Sequence, residues 1–188
     1  RQLLVPLLPA TGVLVLLASL WALQRFAGGH PGDYGLGPLV EPNDRLASLA
    51  MYPVVMAVFV VGYGFARLLT LFLPWEWPAT AFLYSQVVPL HPAGALAVVA
   101  YLALTAAFVE EIVYRGLPAL FLPAHLYPLL SAAAFATIHW ESGTRELLAT
   151  FFLGVVLAAL YLRVRNLWPF VAGHALTDML AFSGTYAY

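Results

Sequence analysis

The chain is 188 residues long, 63% apolar and only 9% charged, with a formal net charge of −1. A soluble domain carries about a quarter charged residues, so this composition excludes a soluble globular enzyme, a disordered chain and, for want of a basic face, a nucleic-acid binder. All eight basic residues are Arg and Cys is absent, which removes any disulfide framework, thiolate metal site or Cys nucleophile; what remains is an integral membrane protein.

The uncharged intervals set the elements in chain order, because a spanning helix needs about 20 mostly apolar residues. Arg1 to Arg25 encloses 23 uncharged residues. That exceeds the apolar region of about 7–15 residues in a signal peptide, so the stretch predicts a membrane helix over 3–26. Residues 27–45, rich in Gly, Pro and Asp, read as a loop outside the hydrocarbon. Arg45 to Arg67 encloses 21 residues and predicts a helix over 46–73, and Glu76 to Glu110 encloses 33. Within that interval, 78–92 is bracketed by Pro78, Pro89 and Pro92 and reads as an interfacial segment, leaving a helix over 93–117. Arg115 to Glu141 encloses 25 residues, for a helix over 127–140, and Glu146 to Arg163 encloses 16. Arg snorkelling extends that short span to 146–164. After Arg165 only Asp178 interrupts the apolar run, and a last helix is predicted over 168–183. Trp75, Trp77, Tyr84 and Trp168 fall near predicted span ends, where aromatic rings favour the headgroup layer. The expected fold is all-α, a polytopic membrane helix bundle with about six transmembrane helices. It is read as a single membrane-embedded domain over 1–188, with its motif-bearing core at about 93–182.

Ionisable groups inside a span are costly and mark candidate functional sites. The first cluster is Glu110-Glu111-Ile112-Val113-Tyr114-Arg115. On a helix Glu111 and Arg115 stand one turn apart and form an ion pair, whereas Glu110 points roughly 100° away. One carboxylate is neutralised while its neighbour stays available. The second candidate is His139, at the end of Phe135-Ala136-Thr137-Ile138-His139. The third is His174-Ala175-Leu176-Thr177-Asp178, where Asp178 sits one turn from His174 and is placed to hold the imidazole and fix its tautomer. His30, His91 and His125 lie in predicted loops or edges and receive no role.

Glu, His, His and Asp together suggest activation of water. A desolvated carboxylate is a usable general base, one histidine shares the proton work, and another stabilises the oxyanion formed when water attacks a carbonyl. Ser/His/Asp catalysis fits less well, since Ser131 and Ser183 lack a Gly-x-Ser-x-Gly context. Two histidines and a glutamate also make a three-ligand zinc site with an open position. There is no His-Glu-x-x-His, and the candidate ligands come from three helices, so the residues leave zinc open as the weaker alternative to a metal-free carboxylate.

In this order on successive membrane helices, Glu-Glu-x-x-x-Arg, Phe-x-x-x-His and His-x-x-x-Asp resemble the CPBP intramembrane proteases, which comprise CAAX prenyl proteases and bacteriocin-processing or Abi-type homologues. The resemblance covers roughly 93–182. It implies that Glu110 is the catalytic glutamate that activates water, with Glu111 and Arg115 as its supporting pair. It further implies that His139 assists with the water's protons and that His174 serves the oxyanion site. Asp178 stands where many members carry Asn. An ionised carboxylate would repel an oxyanion, so Asp178 is expected to act through His174 by stabilising the imidazolium, the better donor.

The function expected on these grounds is a glutamate-type intramembrane endopeptidase without cofactor or metal. It would cleave a membrane-associated protein or peptide, as in sortase-like removal of C-terminal membrane tails. Its partners would be that substrate and the lipid bilayer, with no nucleic acid. An all-Arg, Ala- and Leu-rich composition suggests a GC-rich prokaryotic genome, hence the prokaryotic inner membrane. The alternatives are a zinc protease using the same residues, a non-catalytic scaffold, a transporter (no inverted repeat of broken helices supports one) and a bis-histidine haem protein using His139 and His174.

Overall fold

In a computed structural model, residues 7–27, 29–72 and 92–185 are described, and the described residues are helical with short connections. In chain order the helices are α1 (Leu7–Ala27), α2 (Arg45–Thr70), α3 (Pro92–Glu111), α4 (Pro118–Phe121), α5 (Tyr127–Thr137), α6 (Thr144–Val164) and α7 (Trp168–Thr185). Short 3-10 turns occupy Pro31–Tyr34 and Trp140–Ser142, and one π-helical turn, Ile112–Gly116, joins α3 to α4. The predicted interfacial segment, with Trp75, Trp77 and Tyr84, lies outside the described residues apart from Pro92, which opens α3.

The segments Arg45–Ala66, Gly94–Phe121 and Thr144–Val164 are long and apolar enough to cross a membrane, with mean hydropathies of 2.0, 2.0 and 2.2. Thr11–Ala22 and Tyr127–Thr137 are shorter apolar helices. Large apolar side chains point outward along these elements, Val54, Val61 and Phe65 on α2 and Phe152 and Val156 on α6 among them. An apolar exterior is what lipid rather than water demands of a helix surface. The protein is therefore an integral membrane protein of the all-α class expected.

Local chemistry sets the element ends. Asp44 caps α2, its Oδ1 accepting from the Ala47 amide at 3.3 Å. Asn166 Oδ1 accepts from the Trp168 amide at 3.0 Å, and Pro169, which has no N–H to lose, follows in the first turn of α7. Pro118 has the largest consequence. Lacking an N–H, it cannot bond the Tyr114 carbonyl, and the chain widens into a π turn in which the Leu117 amide reaches Ile112 O at 2.8 Å. Two carbonyls turned out of the ladder are recovered by α5: Ser131 Oγ donates to Tyr114 O, and Tyr127 OH donates to Arg115 O at 3.1 Å. The predicted continuous helix over 93–117 is thus α-helical only to Glu111, because sequence periodicity does not show where a proline's missing bond will be absorbed.

α7 packs against both α2 and α3, α6 against α2 and α5, and α5 against the π turn that extends α3. These contacts close a ring, with α1 laid against α3. Gly173 permits the close approach of α7 to α2, since a Cβ there would lie 2.7 Å from the Phe59 ring and 3.2 Å from Met56 Cα. One end of the ring is closed by the segment after α1. Tyr34 is buried, Gly35 takes φ +80°, and the Leu167 amide, the Trp168 indole and the Asn166 amide donate to the carbonyls of Gly35, Gly37 and Pro38. Gly116 makes room for this segment, because a Cβ there would fall 2.5 Å from Tyr34 O.

Candidate active site

Glu110 and Glu111 end α3, and the helical rotation between them sends the two carboxylates to different places. Glu111 faces the ring interior and is fully buried, as is Arg115 at 1% exposure. Arg115 Nη1 donates to Glu111 Oε1, so the expected ion pair is formed. The same oxygen lies 2.6 Å from His174 Nδ1 on α7. Glu111 Oε2 and the Nε and Nη2 of Arg115 have no hydrogen-bond partner among the described residues. Arg115 also lies over two aromatic faces, 4.8 Å from the Phe135 centroid and 5.7 Å from that of Phe59.

His174 is thereby held on all sides. Phe59 stacks on it at 5.4 Å, and Phe135 meets it edge-on at 5.8 Å. With Nδ1 directed to Glu111, its Nε2 faces Glu110 Oε2 at 3.6 Å and Asp178 Oδ2 at 3.7 Å. The partner at Nδ1 is therefore Glu111 from another helix, while Asp178, one turn away as the spacing suggested, faces Nε2. Asp178 is close in sequence, but its carboxylate stands off the opposite nitrogen, beyond hydrogen-bonding distance and beside Glu110.

His139 follows the last turn of α5, since that helix ends at Thr137 rather than 140. Its Nδ1 lies 3.0 Å from Phe135 O. A carbonyl only accepts, so Nδ1 carries the proton and Nε2 of the neutral ring is left as the acceptor. The Phe135 ring packs against His139 at 4.8 Å and so touches both histidines. Among the described residues no hydrogen bond or ion pair joins His139 to Glu110; the two share a cavity instead.

That cavity has a volume of about 440 Å³, and Glu110, His139, His174 and Asp178 all open into it, while Glu111 and Arg115 lie behind its wall. α2, α3, α5, α6 and α7 all contribute to the lining. Reading the sequence missed Glu146 and Tyr63, which also line it and are joined by a 3.1 Å hydrogen bond from Tyr63 OH to Glu146 Oε2. Glu146 had served only as the charge bounding a short span; its position one turn into an apolar helix was the available signal. Ser131, considered as a nucleophile, donates to the Tyr114 carbonyl, and the Ser183 side chain lies outside the described residues. Among the described residues no three His, Asp or Glu side chains form a group arranged to hold a metal.

The helical ring with its apolar exterior thus carries a carboxylate and two imidazoles that open into one cavity. Residues 92–180, which carry all of these groups, match the family model described as type II CAAX prenyl endopeptidase Rce1-like. The match supports the CPBP/CAAX intramembrane protease family for this part of the chain, and with it a peptidase acting on membrane-associated peptide substrates. No curated protein and no solved structure matches it.

Proposed function

We propose that the peptidase is of the glutamate type and works without a metal. Glu110 takes a proton from a water in the cavity as that water attacks the scissile carbonyl, and His139, through the acceptor Nε2, orients the water or relays its proton. The charge developing on the carbonyl oxygen falls to the N–H of His174 Nε2. Collapse of the tetrahedral intermediate breaks the C–N bond, and the proton held by Glu110 passes to the departing amine. Asp178 does not touch the oxyanion in this scheme; its charge 3.7 Å from Nε2 supports the protonated imidazole.

One observation carries the reading: the Arg115–Glu111–His174 chain orients an imidazole so that its outer nitrogen lies 3.6 Å from Glu110 Oε2 in the cavity wall. Such preorganisation is what oxyanion stabilisation requires, since a donor that must reorient during reaction loses much of its effect. The expected substrate is a protein or peptide held in the bilayer, as in sortase-like removal of C-terminal tails at a prokaryotic inner membrane.

The test is proteolysis in liposomes with membrane-tail peptides, comparing wild type with Glu110→Gln, each with and without chelator. Cleavage lost in Glu110→Gln and untouched by chelator is the expected result. Cleavage abolished by chelator and restored by zinc would instead make Glu110, His139 and His174 metal ligands and overturn the metal-free mechanism.

A further inference from the structure

The two imidazoles that open into the cavity are supported very differently. His174 has Glu111 at Nδ1 and Phe59 stacked on its face, two contacts from two other helices. His139 stands beyond the end of α5. Among the described residues its one side-chain hydrogen bond and its one ring contact both go to Phe135. Nδ1 lies 3.0 Å from the Phe135 carbonyl, and the phenyl ring packs on the imidazole at 4.8 Å with 66° between the planes. The carbonyl is open to the imidazole because the chain tightens there: the His139 amide bonds Ala136 O, three residues back, at 2.9 Å.

The Phe135 ring is itself fixed. It is buried, the Arg115 guanidinium lies 4.8 Å over its centroid, and the Tyr114 ring meets it at 5.8 Å. Gly154 brings α6 up to it, since a Cβ there would lie 3.1 Å from Ala132 Cβ and 3.6 Å from Phe135 Cδ1. Arg115 is held in turn by Glu111. The buried ion pair therefore reaches both imidazoles, His174 through Glu111 Oε1 and His139 through the Phe135 ring. An imidazole released from that ring turns about its side-chain torsions and breaks the Nδ1–H bond. It then no longer presents an unprotonated Nε2.

We infer that Phe135 is a positioning residue for the water-activating step, its ring holding His139 in the orientation and tautomer that present Nε2 to the cavity. This rests on the glutamate-type reading above and adds to it the group that sets His139.

Phe135→Leu keeps the carbonyl and an apolar side chain but removes the ring, and Phe135→Met is a second ringless variant with a flexible filler. Both are assayed on membrane-tail peptides in liposomes, with rates taken per folded molecule. In either variant kcat is expected to fall about 10- to 100-fold, the scale of a misplaced catalytic group, with KM within about twofold. In a His139→Ala background, Phe135→Leu is expected to lower kcat by less than about threefold more, because residues acting as a unit are not additive. Nitrogen NMR of the histidines, assigned with His139→Ala, gives a readout apart from turnover. Wild type is expected to show His139 protonated at Nδ1 alone, and Phe135→Leu to show both tautomers. Equal losses with and without His139 would make Phe135 a packing residue and overturn the inference. So would a loss confined to KM, which would make it a substrate contact, or a single Nδ1–H tautomer in Phe135→Leu. Failure of the protease reading shows differently, as no Glu110-dependent cleavage by wild type, while the nitrogen spectra still decide whether Phe135 orders the imidazole.

Discussion

Replacing Glu111 by Gln separates the two adjacent glutamates by energy. Glu111 is 0% exposed and Arg115 1%, so the substitution removes the anion and leaves a guanidinium that cannot lose its proton in the interior. Breaking a buried ion pair by deleting one partner costs about 3–5 kcal/mol, because the remaining charge is uncompensated. The phenyl faces of Phe59 and Phe135 contact Arg115 before and after the substitution and so do not offset that cost; a loss of about 3–5 kcal/mol is expected, to be read from denaturant unfolding in mixed micelles. The double variant Glu111→Gln with Arg115→Met removes both charges and is expected to be more stable than Glu111→Gln alone. Glu110→Gln is the control: its side chain is 21% exposed and its nearest charged contact is 3.6 Å away, so its stability changes by less than about 1 kcal/mol while activity disappears. A Glu111→Gln cost no larger than that of Glu110→Gln would refute the reasoning, as would a double variant weaker than both single ones.

Three further outcomes follow from the same contacts. Ser131→Ala leaves the Tyr114 carbonyl without the donor that Pro118 cannot supply, and a destabilisation of about 1–3 kcal/mol is expected in the same unfolding assay. Gly173→Leu drives a side chain into the Phe59 ring and the Met56 backbone and is expected to cost about 1–3 kcal/mol or more, whereas Gly64→Ala, with nothing within 4 Å of its new Cβ, is near neutral. For the proposed mechanism, His174→Ala is expected to lower kcat/KM by about 100- to 1000-fold, the worth of an oxyanion donor. Asp178→Asn keeps partial activity, and equal collapse of both variants would put Asp178 in direct contact with the reacting atoms.

The sequence by itself determined the class of protein and the local pairs. Charge-free intervals located the helices to within a few residues, because the cost of burying a charge in hydrocarbon writes itself directly into composition. The Glu111–Arg115 pair was equally legible, since residues four apart on a helix must share a face. The same rule brings Asp178 to His174 but does not name the partner at Nδ1. The tight bond there comes from Glu111, 63 positions away in the chain. The approach of Tyr63 to Glu146 and the phenyl rings that clamp His174 and Arg115 were decided by tertiary structure alone. The reason lies in the solvent. In water the inward face of a helix is marked by an apolar stripe, but in lipid both faces are apolar, and the pattern no longer says which side turns inward. Which carboxylate met which imidazole was therefore settled by how the helices pack, with Gly173 admitting α7 against α2.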